Sequence, residues 1–326
     1  MDSGTAIRVD GLEKRFGDVE AVRGVDFEVH AGETFGFLGP NGAGKSTTIN
    51  MLCTLVRPTG GTARVAGYDV VSQRLDVRRE IGLVFQDTTL DTYLSAAQNL
   101  RFHGQLYGLP ADQLEARMRQ VLELVGLWDR RDKDVQTFSG GMKRRLEIAR
   151  GLLHSPRVLF LDEPTVGLDP QTRASIWEYL DERRRQEDLT IFLTTHYMDE
   201  AEHCDRIAIM DAGQVGALDT PLALKAAIGT DRVRLETDDS SAASAAISRQ
   251  FGLEVTSDAG GGLVLHVPDG ERFVPRLLAD LGVPVRSVSV TRPTLDDVFM
   301  SHTGRTIRDA EAVPRSELAA MFRGRR

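Results

Sequence analysis

Four residues pose the first chemical question. Gly39, Gly44, Lys45 and Ser46 stand in the spacing G-x-x-x-x-G-K-[ST], with Pro40, Asn41, Gly42 and Ala43 between them and Thr47 directly after. Glycines permit positive φ and leave no Cβ in the way, so several backbone N–H groups can converge on one anion. A helix that opens at the same point adds the positive end of its dipole. Lys45 then supplies a full charge for the β- and γ-phosphates of a nucleoside triphosphate, and Ser46 offers its hydroxyl to Mg²⁺. The plain alternative is a glycine turn between a strand and a helix. The context favours a P-loop: the apolar stretch ETFGFLG (33–39) reads as a strand, and KSTTINMLCTLV, from Lys45 to Val56, has helical periodicity.

Further residues fit the same chemistry. RVLFLDEP (157–164) is a buried-type apolar strand ending in two carboxylates, the pattern of a Walker B strand. Asp162 is expected to hold Mg²⁺ directly or through water, because that ion keeps waters and takes few carboxylates. Glu163, next in the chain, can polarise an attacking water as general base. His196 ends the strand LTIFLTTH. Alone it reads as a packed or capping residue, but in a strand parallel to Walker B it emerges on the phosphate edge and can sense the γ-phosphate. Gln86, at the end of IGLVFQ, reads either as a strand-end polar residue or as an amide for Mg²⁺ or the attacking water. Phe16, before the first turn, reads either as a core phenylalanine or as a platform for adenine.

These residues need elements to carry them. The opening segments AIRVDGLEKRF and VRGVDFEV read as antiparallel strands. Beyond them, strand signals at ETFGFLG, GTARVAG, IGLVFQ, RVLFLDE and LTIFLTTH alternate with helical stretches, which implies a largely parallel sheet with right-handed crossovers. Residues from about 92 to 154 are helical by pattern and read as an insert between two strands. After about residue 230 the order becomes strand, helix, hairpin with a Gly-rich turn, helix, strand, which fits a small ferredoxin-like α/β domain. A short helix at TLDDVFMSHTG follows. The expected fold is α/β: a P-loop NTPase core with an antiparallel β subdomain and a helical insert, plus that C-terminal domain. The expected domains are 1–229, 230–304 and a polar tail, 305–326, read as mobile.

Composition narrows the class. The formal net charge is -8, from 48 acidic and 40 basic residues. That balance argues against a general nucleic-acid binder, which needs a strongly basic face. Cys53 and Cys204 read as small buried hydrophobes and not as a disulfide. The start, MDSGTAIRVDG, lacks the basic and apolar regions of a signal peptide. No apolar run approaches the roughly 20 residues needed to cross a bilayer. The expectation is a cytosolic chain that reaches a membrane only through a partner.

TFSGGMKRR (137–145) decides between P-loop classes. Its Ser-Gly-Gly again leaves helix N-terminal N–H groups bare for an anion. It precedes Walker B by about one helix, away from the P-loop of the same chain, so one chain holds two phosphate half-sites. This resembles the signature motif of the ABC ATPases, whose familiar form is Leu-Ser-Gly-Gly-Gln. Phe138 stands for the leucine, and Met142 for the glutamine, so Met142 is given no polar contact to nucleotide. The resemblance covers about residues 6–220 in order: Phe16, the P-loop, Gln86, Ser139-Gly140-Gly141, Asp162-Glu163, a D-loop-like Gly167-Leu168-Asp169, and His196. It implies a head-to-tail homodimer in the ATP-bound state, in which Phe138, Ser139, Gly140 and Gly141 close over the ATP of the partner subunit. TLDDVFM (294–300) and TGRTIRD (303–309) are similar to the closing segment of the daunorubicin-resistance branch. That branch implies a separate integral membrane permease of the ABC-2 type, an export role, and a place on the cytoplasmic face of the membrane. Residues from Thr88 to Tyr107 form the expected docking surface for the permease. An importer ATPase and a non-transport ABC ATPase stay open as alternatives. Against the latter, long coiled-coil arms and a second P-loop are both missing from the sequence.

Overall fold

The computed structural model describes residues 4–303 apart from 167, 188 and 258–261. The chain divides into two compact units that meet in sequence at Pro221 and Leu222.

The first unit opens with two long strands, β1 (Thr5–Phe16) and β2 (Val19–His30), paired antiparallel. Strand β3 (Thr34–Leu38) is buried at every position and leads into the glycine-rich loop and helix α1 (Lys45–Leu52). The apolar pattern from Lys45 to Val56 extends beyond this helix. Cys53 caps it, and Thr54 then turns into left-handed backbone at φ 63°, which no regular helix continues. Strands β4 (Gly60–Val65) and β5 (Tyr68–Asp69) complete an antiparallel sheet of order β2-β1-β4-β5.

Helix α2 (Arg74–Glu80) leads to β6 (Ile81–Val84). The helical segment that follows contains α3 (Ala96–Leu106), α4 (Ala111–Leu124) and α5 (Gly140–Leu152). Ser95 opens α3 with a capping box, accepting from Gln98 N while the Gln98 side chain accepts from Ser95 N. The chain returns to the sheet through β7 (Val158–Asp162), α6 (Pro170–Glu187), β8 (Thr190–Thr195), α7 (Met198–Ala201), β9 (Arg206–Asp211) and β10 (Gln214–Asp219). The central sheet has the order β10-β9-β3-β8-β7-β6. It is parallel from β9 to β6, and β10 runs antiparallel at one edge.

Strands β3, β7 and β8 are buried along their whole length, as parallel strands covered on both faces must be. One aromatic cluster joins the two sheets. Phe27 on β2 stacks on Phe35 of β3 at 5.6 Å between centroids, and Phe37 of β3 meets Phe192 of β8 edge-on at 5.1 Å. Phe160 of β7 completes it. Such rings bury large apolar area in fixed geometry, so the strands that end at the glycine-rich loop and at Asp162 rest on one rigid floor.

The second unit begins with α8 (Pro221–Ile228), whose first residue belongs to the first unit. It then runs β11 (Asp231–Thr237), α9 (Ser240–Phe251), β12 (Thr256–Ser257), β13 (Leu263–Val267), α10 (Gly270–Asp280), β14 (Val285–Thr291) and α11 (Leu295–Thr303). The antiparallel sheet has the order β12-β13-β11-β14. That is the ferredoxin-like arrangement expected from the pattern. Asp239 and Asp269 cap the two helices through Ala242 N and Arg272 N. Val233, Leu235, Ile247, Leu265 and Leu277 form its core. The Gly-rich turn at 258–261 and the tail beyond Thr303 lie outside the described residues. No helix among the described residues is long and apolar enough to cross a membrane.

Candidate nucleotide site

The glycine-rich loop hangs between β3 and α1. Gly39 N donates to Thr195 O at 3.2 Å, which pins the loop to the end of β8. Gly44 has φ 107°, and a Cβ there would lie 2.6 Å from Ala21 O, so only glycine fits. Pro40 and Ala43 are buried, Asn41 and Gly42 are exposed, and Thr47 is half-buried. Lys45 is 4% exposed. Its ammonium donates to Gly39 O at 2.5 Å and Pro40 O at 3.0 Å and stands 3.7 Å from Glu163 Oε1. A buried ammonium among carbonyls at a helix N-terminus is a stored positive charge for an anion.

Ser46 and Asp162 meet. Ser46 Oγ donates to Asp162 Oδ1 at 3.0 Å. The same carboxylate oxygen accepts from Thr194 Oγ1 at 2.5 Å. Thr194 is the register partner of Asp162 across β7 and β8, so the pleat puts both side chains on one face. Thr194 escapes a motif-by-motif reading of the sequence. The signal that finds it is the parallel register of RVLFLDE and LTIFLTTH, whose last threonines fall opposite the carboxylates.

Glu163 is the hub. It is 5% exposed and lies in left-handed backbone, at φ 47°. Its N–H donates to Thr194 Oγ1 at 3.1 Å and to Thr194 O at 3.2 Å. Its carboxylate receives Gln86 Nε2 at 3.3 Å and faces His196 Nδ1 at 3.4 Å. Burial pushes this carboxyl up, but the His196 side chain and the Lys45 charge outweigh it, and the net effect holds it below the usual glutamate range. Glu163 is therefore ionised at neutral pH, as a base must be. Gln86 lies two residues beyond the end of β6 at Val84 and does not end the strand as its pattern suggests. The turn that follows places its amide on the carboxylate. His196, just past β8, is partly buried beside the ring of Tyr197 at 4.0 Å.

Phe16 closes β1 and is 50% exposed, which removes the core alternative. Lys14 Nζ sits 4.7 Å from its ring centroid. Ser139 is the N-cap of α5, and its hydroxyl accepts from Met142 N at 3.3 Å. Ser139 and Gly140 are exposed, whereas Phe138 is buried. A Cβ on Gly141 would stand 2.6 Å from Thr172 Cγ2, so α5 and α6 approach closely here. Asp169 caps α6, accepting from Thr172 N at 2.9 Å and Thr172 Oγ1 at 2.7 Å, and these two bonds hold its carboxyl below the usual range. Gly167 lies outside the described residues.

The structure thus gathers Lys45, Ser46, Gln86, Asp162, Glu163 and His196 at the ends of adjacent parallel strands. Phe16 and the Ser139 segment occupy other elements.

The chain is similar to known proteins. The family model described as ABC transporter matches residues 22–166, and the model for the C-terminal domain of DrrA1-3-like ATP-binding proteins matches residues 220–303. The chain is 43% identical over 314 residues to the daunorubicin resistance ATP-binding protein DrrA3 of Streptomyces coeruleorubidus, covering 94% of this chain and 99% of that one. It is 41% identical to the daunorubicin/doxorubicin resistance ATP-binding protein DrrA of Streptomyces peucetius, covering 93% of this chain and 94% of the other. Among solved structures, the ATP-binding cassette MJ0796, a dimer in a post-hydrolysis state with ADP and Pi, aligns with a TM-score of 0.60 at 25% identity, over 66% of this chain and 98% of its own. Identity across nearly the full length of both chains, with a nucleotide-bearing cassette of the same fold, leads to one conclusion: this chain belongs to the ATP-binding proteins of ABC transporters, in the DrrA branch, and is an ATPase.

Proposed function

We propose that this chain powers an exporter that expels an antibiotic-like molecule through a separate integral membrane subunit. Two chains pair in the ATP-bound state, at the cytoplasmic face of the membrane. The names of the DrrA relatives and the match of residues 220–303 support the export reading and the drug class. A permease of the ABC-2 type is the partner that this branch implies. The dimeric cassette MJ0796 supports pairing.

The observation that carries the catalytic reading is the Glu163 carboxylate, 3.7 Å from Lys45 Nζ and 3.3 Å from Gln86 Nε2. Lys45 binds the β- and γ-phosphates, trading its loop carbonyls for them, and the loop N–H groups from Gly39 to Thr47 surround the chain of phosphates. Glu163, ionised, takes the proton of the attacking water, and His196 and Gln86 orient that water and the terminal phosphate. Ser46 Oγ and Asp162 Oδ1, 3.0 Å apart, are oxygen donors of the kind Mg²⁺ takes and would hold it, with the Gln86 amide oxygen as the third proposed donor. When bound there, the ion would neutralise phosphate charge. Phe16 stacks on adenine with its exposed ring. Ser139, Gly140 and Gly141 offer N–H groups to the ATP of the partner subunit, and Asp169 stands at the same interface. The exposed Tyr93, Phe102 and Leu106 belong to the segment proposed to meet the permease.

The test is co-expression of this chain with the membrane protein from its adjacent reading frame, followed by measurement of drug efflux from loaded cells. Efflux that needs both proteins and disappears with Glu163→Gln supports the proposal. Uptake driven by the pair, or efflux unchanged by Glu163→Gln, would contradict it.

A further inference from the structure

We propose that Arg144 is a positioning residue that holds Glu163 in its left-handed backbone and so aims the carboxylate into the nucleotide site. The inference rests on the reading of Glu163 as general base and adds what sets its direction.

Arg144 lies on the second turn of α5 and is 6% exposed. Its Nε donates to Pro164 O at 2.5 Å, and its Nη2 donates to both Asp162 O and Glu163 O at 3.2 Å. Its Nη1 donates to Phe85 O at 2.5 Å and to Glu147 Oε2 at 3.3 Å. A guanidinium has five N–H donors in a planar fork, and here they meet five acceptors. Three of these are the consecutive carbonyls that bracket Glu163.

That bracket has a physical purpose. Glutamate at φ 47° is disfavoured, since its Cβ crowds the neighbouring carbonyl. Such a conformation persists only where its surroundings over-determine it. The Glu163 N–H is held by Thr194, and its carbonyl side is held by Arg144. Without the second anchor the peptide can relax to right-handed backbone, and the carboxylate swings away from Lys45 and Gln86. A lysine at 144 keeps the charge but loses the fork, so it cannot grip three carbonyls at once.

The same side chain ties the Gln86 loop to this point through Phe85 O. Glu147 and Arg150, further along the helix, hold the loop's other end through Thr89 N at 2.8 Å and Thr89 O at 3.0 Å. Both groups that touch the proposed water site are therefore fixed from one helix, whose N-cap is Ser139.

The experiment uses the full-length chain with ATP and Mg²⁺ and reads ATP affinity and single-turnover hydrolysis separately. Glu163→Gln is measured first. Hydrolysis by it at the wild-type rate would sink the general-base reading, whatever Arg144 does. With that reading intact, Arg144→Lys should bind ATP as wild type and lose turnover by about 10²-fold, the scale on which a misplaced catalytic group acts. Added to Glu163→Gln, it should cost nothing further, because the group it aims is already gone. A purely structural arginine would lower the residual rate of both backgrounds equally. Should Arg144→Lys not fold, Glu147→Gln leaves a single acceptor oxygen for both Arg144 Nη1 and Thr89 N, and about a tenfold loss of turnover with unchanged ATP affinity is expected, a part of the roughly 10²-fold or more that a general base contributes. Wild-type turnover in the folded variant, or additive losses in the double variant, overturns the proposal.

Discussion

Gln86 Nε2 donates to Glu163 Oε2 at 3.3 Å, across 77 residues of sequence. One of these residues directly follows β7, and the other lies in the loop that leads from β6 into the helical segment. On the proposed reading of Glu163, a change at the γ-phosphate reaches that segment through one hydrogen bond. Gln86→Ala should leave ATP affinity within about threefold, as for loss of one modest hydrogen bond. Hydrolysis should slow, and the efflux obtained per ATP hydrolysed should fall as well. Parallel assays of ATPase rate and efflux in the reconstituted pair check this.

Glu163→Gln removes the proposed base but keeps size and one acceptor oxygen. It should retain ATP binding, lose turnover by at least about 10²-fold, and accumulate as an ATP-bound dimer. Because the wild-type carboxyl sits below the usual glutamate range, its base form persists through mildly acid pH. Single-turnover rates should stay level down to about pH 5, near the top of the ordinary carboxylate range. They should fall only as pH drops through the depressed value. A limb centred near neutrality would assign the base elsewhere.

Lys45→Ala should weaken ATP binding by about ten- to hundredfold, the loss of about 1.5–3 kcal/mol expected for one charge-assisted hydrogen bond. Calorimetric titration with ATP measures it. ADP should lose less than ATP, since the lysine is proposed to serve the terminal phosphate as well.

Thr194→Val deletes the hydroxyl that both donates to Asp162 and accepts from Glu163 N. The cost to folding stability should be about 1–3 kcal/mol, the range for stranding buried polar partners. The Mg²⁺ requirement of ATPase activity should rise as Asp162 loses its orientation. Denaturant melts and a Mg²⁺ titration check the two effects independently.

His103 and His154 stand near the Tyr107 ring, His154 stacked on it at 3.9 Å. Burial pushes both down to about 4, helped by Arg150 and His154 at His103 and by Arg117 at His154, where a hydrogen bond to Ile81 O works in the opposite direction. Folded, they stay neutral, whereas the unfolded chain protonates them near pH 6.5. The unfolded state thus binds more protons between these values, so stability rises with pH across that window and falls as pH drops from about 6.5 toward 4. Replacing both by phenylalanine should flatten that slope in melts measured from pH 4 to 7, whereas an unchanged slope would place the titration elsewhere.

Much of this was readable before any coordinates. The P-loop, the Asp162-Glu163 pair and the Ser139 cap are local patterns, because each needs only neighbouring residues and a strand or helix end. The βαββαβ order after residue 230 followed from alternation alone. Three features were not readable, each for a physical reason. Thr194 reaches Asp162 through strand register, which a linear pattern does not contain. Arg144 reaches Phe85 and Pro164 because its side chain is long and α5 lies over the ends of two strands. Gln86 falls beyond its strand because the chain turns after Val84, although Phe85 continues the apolar run.

The central claim is that the bare N–H groups at Ser139 complete the nucleotide site of a second chain. The most direct measurement is light scattering on Glu163→Gln at low protein concentration, with and without ATP, repeated with Ser139→Phe added. The account predicts a mass that doubles only with ATP, and no doubling once the phenylalanine blocks the cap. A mass unaffected by ATP, or doubling that survives Ser139→Phe, would contradict it.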